Sequence, residues 1–500
     1  MATTTQVSQQ TICPNHIDGQ WVQSRSERMV ERRNPAKLDD LIGSVRRSTP
    51  EEMRQAIEAA ARALPAWRDT PAPLRGKILL RTARLLEEKK EEVARVLTRE
   101  EGKTISESLG ELQRSINILE FIAGEGRRLT GETLPSELPK NFAYTIRQPL
   151  GVVGLITPWN FPVAIPVWKM APALVCGNTV VWKPAELTSF TARRLVELLV
   201  EAGVPAGVLN MVTGSGSEIG DELVGSPAVR AISFTGSTEV GSRIYAKGAQ
   251  QLKKIQCEMG GKNPVVVLED ADLELAAEST VSGAFGSTGQ RCTATSRVVV
   301  ADSVADRFVA MLAERARKLK VGDGAQANTQ VGPSVDEAQL HKVEEYLEIG
   351  KREARLVCGG ERLRGGIYDH GYFIAPTIFD HVSPEARIAQ EEIFGPVLSV
   401  IRVRDFDSAL AAANNVPFGL TSSIFSTDAN RVFQAAERLD CGMVHINSPT
   451  VGGEAHVPFG GSKSSGLGER EVGSSAIEFY SELKVVYVDY AGRKRESKFY

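Results

Sequence analysis

The 500-residue sequence predicts an α/β protein containing a doubly wound parallel sheet, and two observations carry that expectation. Past Gly151, short unbroken apolar runs alternate with helix-length segments: GVVGLITPW, NTVVWKPA, GVLNMVT and VRAISFTG, with amphipathic stretches such as SFTARRLVELLVEAG between them. Strands covered on both faces read as continuous apolar runs, and intervening helices supply the crossovers that a parallel sheet requires. The second observation is a renewed α/β pattern after Gly260-Gly261, with NPVVVL, TSRVVVA, YFIAPTIFD, PVLSVIRV, LTSSIF and GMVHINSP as candidate strands. A chain of this length exceeds one hydrophobic core, so at least two domains are expected.

Taken in order, residues 1–50 are polar and broken and are expected to pack as a rim. Within them HIDGQW resembles a hairpin edge with Asp18-Gly19 as its turn. From Pro50 to about Gly124 the period is helical. Thr49 followed by Pro50, Glu51 and Glu52 is a start signal, and EEMRQAIEAAARALPAW places apolar residues three and four apart. A continuous helix LLRTARLLEEKKEEVARVLTREEG is expected to close at Gly102, and ISESLGELQRSINILEFIAG at Gly124. NFAYTIRQP, residues 141–149, reads as an extended arm, and LKVVYVDY, residues 483–490, is a second exposed run suited to pairing.

Composition excludes several function classes. Lys and Arg total 59 against 62 Asp and Glu, so the net charge of −3 provides no basic stripe for nucleic acid and no polybasic membrane patch. Six scattered cysteines form no CxxC pair and no disulfide framework, which fits a reducing cytoplasm. The six histidines show no ligand spacing, so no metal is expected. MATTTQVSQQ lacks an apolar leader, and no run of about eighteen apolar residues occurs.

In doubly wound sheets ligands bind at the carboxyl ends of strands, so the residues there are the informative ones. Asn160 in TPWNFP follows such an end and could donate its amide to an oxyanion, although an Asn in a Pro-rich turn is the plainer alternative. Lys183 and Glu186 in KPAE could hold ribose hydroxyls, or could simply pair at the surface; Glu186 would disfavour a 2′-phosphate by charge. FTGSTEVG places Gly236 and Ser237 before a helix whose first amides could meet a pyrophosphate, but Gly-Ser is also an ordinary N-cap. Glu258 in CEMGGKNP is a candidate general base, with a capping or solvated Glu as the plainer alternative, and in QEEIFGPV one carboxylate of the pair Glu391 and Glu392, with Phe394, could grip a sugar and a flat ring. Cys292 lies in FGSTGQRCTATSR, where Gly286, Gly289 and Gln290 permit close backbone approach just before a β-branched run. A lone cysteine is more often inert and buried, yet this one sits on a turn entering a sheet.

Read together, TPWNFP, KPAE, FTGSTEVG, EMGGK, GQRC, EEIFGP and PFGGSKSSG, in this order over residues 150–467, resemble the aldehyde dehydrogenase superfamily. The resemblance implies Cys292 as nucleophile, Glu258 as base, and Asn160 with the Cys292 amide as oxyanion hole. It implies that Thr157, Trp159, Lys183, Glu186, Gly236, Ser237, Glu392 and Phe394 bind NAD or NADP, with Glu186 favouring NAD. The implied architecture is a dinucleotide-binding domain of residues 1–125 and 150–260, a catalytic domain of 261–462 and an oligomerisation arm of 126–149 with 478–490, giving a dimer or tetramer. The chemistry implied is oxidation of an aldehyde to a free acid through a thiohemiacetal and a thioester. EMGGKNP with FGSTGQRCTATSR resembles the branch acting on 2,5-dioxopentanoate (α-ketoglutarate semialdehyde), with succinate semialdehyde or a betaine-type aldehyde as alternatives, and a cofactor-independent thiol esterase as an alternative of another class. A carboxylated substrate needs a cation, and Arg114, lining the tunnel with Phe161 and Trp168, is the candidate; Arg291 is a second, and the plain alternative for Arg114 is a solvated arginine beside Glu111. Near the end, GLGEREVG departs from the family pattern and leaves Glu469 and Glu471 without an assigned role.

Overall fold

The computed structural model describes residues 11–492, so the N-terminal MATTTQVSQQ and all but two residues of the tail AGRKRESKFY lie outside the described residues. The apolar runs beyond Gly151 become the parallel core of an eight-stranded sheet, in the order Gly466–Leu467, Lys254–Glu258, Val229–Thr235, Val152–Ile156, Thr179–Lys183, Leu209–Met211, Asn15–Ile17, Gln20–Val22. Neighbours from Lys254–Glu258 through Leu209–Met211 pair parallel. Chain order reverses between Val152–Ile156 and Val229–Thr235, and the crevice beyond that switch is where such sheets take ligands. The edge hairpin predicted at HIDGQW is present, and Asp18 (φ 52°) and Gly19 (φ 77°) give its two-residue turn the left-handed backbone that matches strand twist.

The second α/β pattern forms a seven-stranded sheet, parallel except for the edge strand Arg355–Cys358. Its inner strands Val397–Val403, Thr295–Ala301, Asn263–Val267 and Thr421–Phe425 are almost wholly buried. The chain passes from one sheet to the other within MGGK: Glu258 ends a strand of the first and Asn263 begins a strand of the second. The carboxyl edge of one sheet thus abuts the amino edge of the other.

Four expectations are corrected. Residues 37–46, expected only as part of a polar, broken rim, form a ten-residue strand paired with Met29–Asn34 and Ile12–Cys13; its sequence KLDDLIGSVR hides the strand because its outer half is solvated and polar. The helix expected to run unbroken to Gly102 is interrupted at Lys89 (φ −105°, ψ 14°), leaving Ala72–Glu88 and Lys90–Glu101, and the next helix continues past Gly124 to Glu125. In YFIAPTIFD only Thr377–Asp380 is strand, because Pro376 carries no amide hydrogen to donate to a ladder. The arm also starts later than expected at its second segment: Glu478–Tyr480 finish the helix Ser475–Tyr480, and Ser481–Asp489 then pairs antiparallel with Asn141–Pro149 over nine residues. Helix starts held well, since Thr49 and Glu52 form a reciprocal capping box. No helix among the described residues is long and apolar enough to cross a membrane.

Candidate active site

The seam between the two sheets collects the residues singled out by sequence. Cys292 occupies the turn between the 3-10 segment Gly286–Gly289 and the strand Thr295–Ala301, half-buried and, like Phe161, packed against the core that includes Trp168 and Phe459. Three successive residues before it are left-handed, Ser287 (φ 48°), Thr288 (φ 59°) and Gly289 (φ 68°), a conformation that costs about 1–3 kcal/mol for each non-glycine. Only glycine fits the third position, because a Cβ there would collide with the Gly395 carbonyl. Glu107 holds the turn by accepting from the Ser287 amide (2.5 Å), and Arg291 donates to the Ser287 hydroxyl (2.9 Å) and pairs with Glu107 (3.3 Å). Arg291 is therefore committed to the loop, and the expectation that it could anchor substrate is set aside.

From the opposite side, Asn263 donates its amide to the carbonyls of Cys292 (2.8 Å) and Ala294 (2.9 Å). Gly261 makes room for this approach, since a Cβ would stand 2.5 Å from the Cys292 oxygen. Asn160 is buried, and its side-chain amide donates to Gln290 O (3.0 Å), two residues before the cysteine. Its backbone oxygen accepts from Lys103 Nζ (2.5 Å), which also pairs with Glu111 Oε2 (2.7 Å); the other Glu111 oxygen accepts the amides of Val163 (2.8 Å) and Ala164 (3.0 Å). This fully buried ion pair fixes the TPWNFP turn from beneath. No local pattern in the sequence announces it.

Glu258 ends its strand with Oε2 accepting from the Gly461 amide (3.1 Å). Burial raises its pKa well above the carboxylate range; the neighbouring Glu471 raises it further, and Lys169 and Arg470 oppose the rise. Glu471, left without a role by the sequence, is buried against Lys169 and Ser233. Burial also pushes the Cys292 thiol up to about 12, with the carboxylates of Glu392 and Glu258 adding to it, while Arg114 and the Thr293 amide act the other way.

On the cofactor side, Trp159 and Phe394 meet edge to face at 5.5 Å, and Phe394 itself is left-handed (φ 61°). Glu392 accepts from the Gly261 amide (2.9 Å) and lies against Gly260. The Thr157 hydroxyl accepts from Trp182 Nε1 (2.9 Å). The Ser237 hydroxyl caps the helix Thr238–Ala249, accepting from Val240 N (3.4 Å), so the capping alternative describes it in this structure; Gly236 N donates to Glu258 O (3.1 Å). Lys183 is buried with one acceptor, Pro184 O (3.0 Å), and desolvation pushes its pKa down to about 8. It borders a cavity of 680 Å³ walled by Ile156, Val224, Val240 and Ile244, a volume and lining suited to a flat base with a cation at its rim. Glu186 does not pair with Lys183: both its oxygens accept from Arg47, at 2.9 and 3.0 Å. The residues present therefore fit a nucleotide cofactor.

Arg114 is no solvated arginine, and Glu111 is not its partner. Its guanidinium lies over the rings of Trp168 (5.2 Å) and Phe459 (5.9 Å), and its buried Nε and Nη2 have no acceptor. Trp168 Nε1 is likewise without an acceptor.

The sequence profile described as the aldehyde dehydrogenase family matches residues 21–486. An α-ketoglutaric semialdehyde dehydrogenase of Bacillus subtilis is 47% identical over 96% of this chain and 99% of that protein. A 2,5-dioxopentanoate dehydrogenase of Saccharolobus solfataricus is 45% identical over 93% of this chain and 97% of its own length. Among solved structures, betaine aldehyde dehydrogenase from Staphylococcus aureus in complex with NAD+ superposes with a TM-score of 0.94 at 35% identity, over 97% of this chain and 96% of that one.

Proposed function

The chain belongs to the aldehyde dehydrogenase family and is an NAD(P)-dependent oxidoreductase, and we propose that its substrate is a semialdehyde carrying a distal carboxylate, 2,5-dioxopentanoate, released as 2-oxoglutarate. The observation that carries the substrate class is Arg114, a half-buried cation whose buried Nε and Nη2 have no acceptor and which no carboxylate among the described residues pairs. A buried unpaired charge is costly, and an anionic ligand relieves that cost. The same charge opposes a quaternary ammonium, which disfavours betaine-type aldehydes. The names of the two relatives fix the chain length proposed for the substrate.

In this reading Cys292 gives its thiol proton to solvent water as its sulfur adds to the aldehyde carbon, and the carbonyl electron pair moves to the oxygen, where the developing oxyanion is met by the Asn160 side-chain amide and the Cys292 amide. Lys103 and Glu111 hold Asn160 in place, and Asn263 holds the backbone of the nucleophile. Lys183 and Glu186 take the adenosine ribose, the 680 Å³ cavity the base, Ser237 and Gly236 the pyrophosphate, Glu392 the second ribose, and Trp159 with Phe394 the nicotinamide end. Bound there, the nicotinamide supplies a two-electron acceptor for the carbon held on Cys292. Glu258 then takes a proton from water as it attacks the thioester, and the acid leaves. Residues 1–125 with 150–260 serve as the dinucleotide-binding unit and 261–462 as the catalytic unit, a division supported by the two sheets. The arm, residues 126–149 with the strand Ser481–Asp489, is assigned to assembly of a dimer or tetramer, supported by its exposed Phe142, Ile146, Leu483, Val485 and Tyr487. A cytoplasmic setting is supported by the free cysteines.

The test compares kcat/KM for 2,5-dioxopentanoate, succinate semialdehyde and a neutral aliphatic aldehyde in the parent and in Arg114→Ala. Loss of a charge-assisted contact of about 1.5–3 kcal/mol lowers the two carboxylated substrates roughly 10- to 150-fold and spares the neutral one. Equal loss for all three sinks the assignment of Arg114, and a parent preference for the neutral aldehyde sinks the substrate class.

A further inference from the structure

Glu186 taken alone repels a 2′-phosphate, but the structure does not leave it alone. Arg47 stands at the same corner, forked onto both carboxylate oxygens at 2.9 and 3.0 Å. It arrives from the far N-terminal segment, on the connection between the strand Lys37–Arg46 and the helix Pro50–Asp69. That connection is tied to the carboxyl edge of the sheet: Ser48 N donates to Thr213 O (3.1 Å), and Asn15 joins the Ser48 hydroxyl (2.7 Å) to the Thr213 amide (2.9 Å) and hydroxyl (3.0 Å). Thr213 follows the strand Leu209–Met211, the neighbour of the strand that ends in Lys183. Two cations, one buried and one at the rim, therefore flank the position proposed for the adenosine ribose.

We propose that Arg47 is a cofactor-specificity residue, the group that receives the 2′-phosphate when NADP rather than NAD is bound. The proposal rests on the reading that the ribose lies between Lys183 and Glu186. With a plain ribose, Arg47 keeps its fork on Glu186, whose remaining lone pairs accept the hydroxyls. With a 2′-phosphate, the near-dianion offers three acceptors to a guanidinium whose planar fork suits phosphate as well as carboxylate. Glu186 can leave, because its side chain is 17% exposed and Arg47's is 36% exposed. The next carboxylate, Glu218, is already paired with Arg28 (2.6 Å), which limits its repulsion.

Two probes that differ only by the 2′-phosphate isolate the effect: 5′-AMP and adenosine 2′,5′-bisphosphate, titrated calorimetrically into the full chain without substrate. In the parent both bind, and the bisphosphate weakens with added salt more steeply than 5′-AMP. Arg47→Ala weakens the bisphosphate at least tenfold and 5′-AMP less than threefold, Arg47→Lys falls between, and Glu186→Gln tightens the bisphosphate. Equal weakening of both probes by Arg47→Ala, an unchanged bisphosphate, or failure of the parent to bind it overturns the proposal. Lys183→Ala separates the underlying reading: it must weaken both probes, and if it weakens neither, the ribose placement itself is wrong.

Discussion

Replacing Lys103 by methionine tests whether a buried ion pair positions the oxyanion donor. Methionine keeps the approximate volume, but it strips Glu111 Oε2 of its 2.7 Å partner and the Asn160 carbonyl of its 2.5 Å donor, and removes the cation 4.2 Å from the Phe161 ring. Both charged side chains are essentially inaccessible, 1% and 0% exposed, so no water replaces the lost ammonium. Removing one partner of such a pair costs about 3–5 kcal/mol, a large part of the 5–15 kcal/mol that keeps a domain folded. Read as a urea midpoint, with a slope of about 3 kcal/mol per molar or somewhat more for a chain this size, the single variant shifts by roughly 1 M. The double variant Lys103→Met/Glu111→Leu, which leaves no unpaired charge, recovers most of that shift. It does not recover kcat, because the TPWNFP turn has lost the bonds to Asn160 O, Val163 N and Ala164 N. Loss of an oriented oxyanion donor is worth about 10²–10³ in rate. A single variant whose midpoint moves by less than about 0.3 M, or a double variant with parental kcat, would refute the argument.

Two further outcomes follow from the seam. The acid limb of kcat belongs to Glu258: raised by burial and by Glu471, it stays protonated and unable to accept from water until pH passes well above the usual carboxylate range of about 4, so activity rises with pH through that higher midpoint and the limb vanishes in Glu258→Gln. A pH–rate profile already flat at pH 5 contradicts this. Gly261→Ala places a methyl 2.5 Å from the Cys292 carbonyl and 2.9 Å from Asn263, and since neither backbone nor amide can yield without moving the nucleophile, turnover falls at least a hundredfold while the helical circular dichroism stays parental; near-parental turnover would show that the loop is more compliant than its bonds suggest.

Asn160, Lys183, Glu258 and Cys292 were legible because each stands at a strand boundary that the local pattern announces, and because their motifs recur in a fixed order. The groups that hold them were not. Lys103 meets Asn160 across 57 positions, Glu111 meets Val163 across 52 and Arg47 meets Glu186 across 139, and no window of sequence joins such pairs. Polarity misled as well: a lysine and an arginine in connections and a glutamate on a helix rich in charge look like surface residues until packing reveals what they meet. The strand Lys37–Arg46 escaped for a related reason, since DD and an interior glycine depress any strand signal that the partner strand then supplies.

The direct passage from Glu258 to Asn263 has a consequence for heat. The proposed base and nucleophile, Glu258 and Cys292, are carried by different sheets, and the proposed cofactor residues divide the same way, Lys183 on one and Glu392 beyond the other. A loosening of the contact between the sheets by an ångström would abolish turnover while each sheet kept its own ladder and core. Inactivation should therefore precede melting, and a dinucleotide spanning the junction should act as a clamp that brings the two temperatures together.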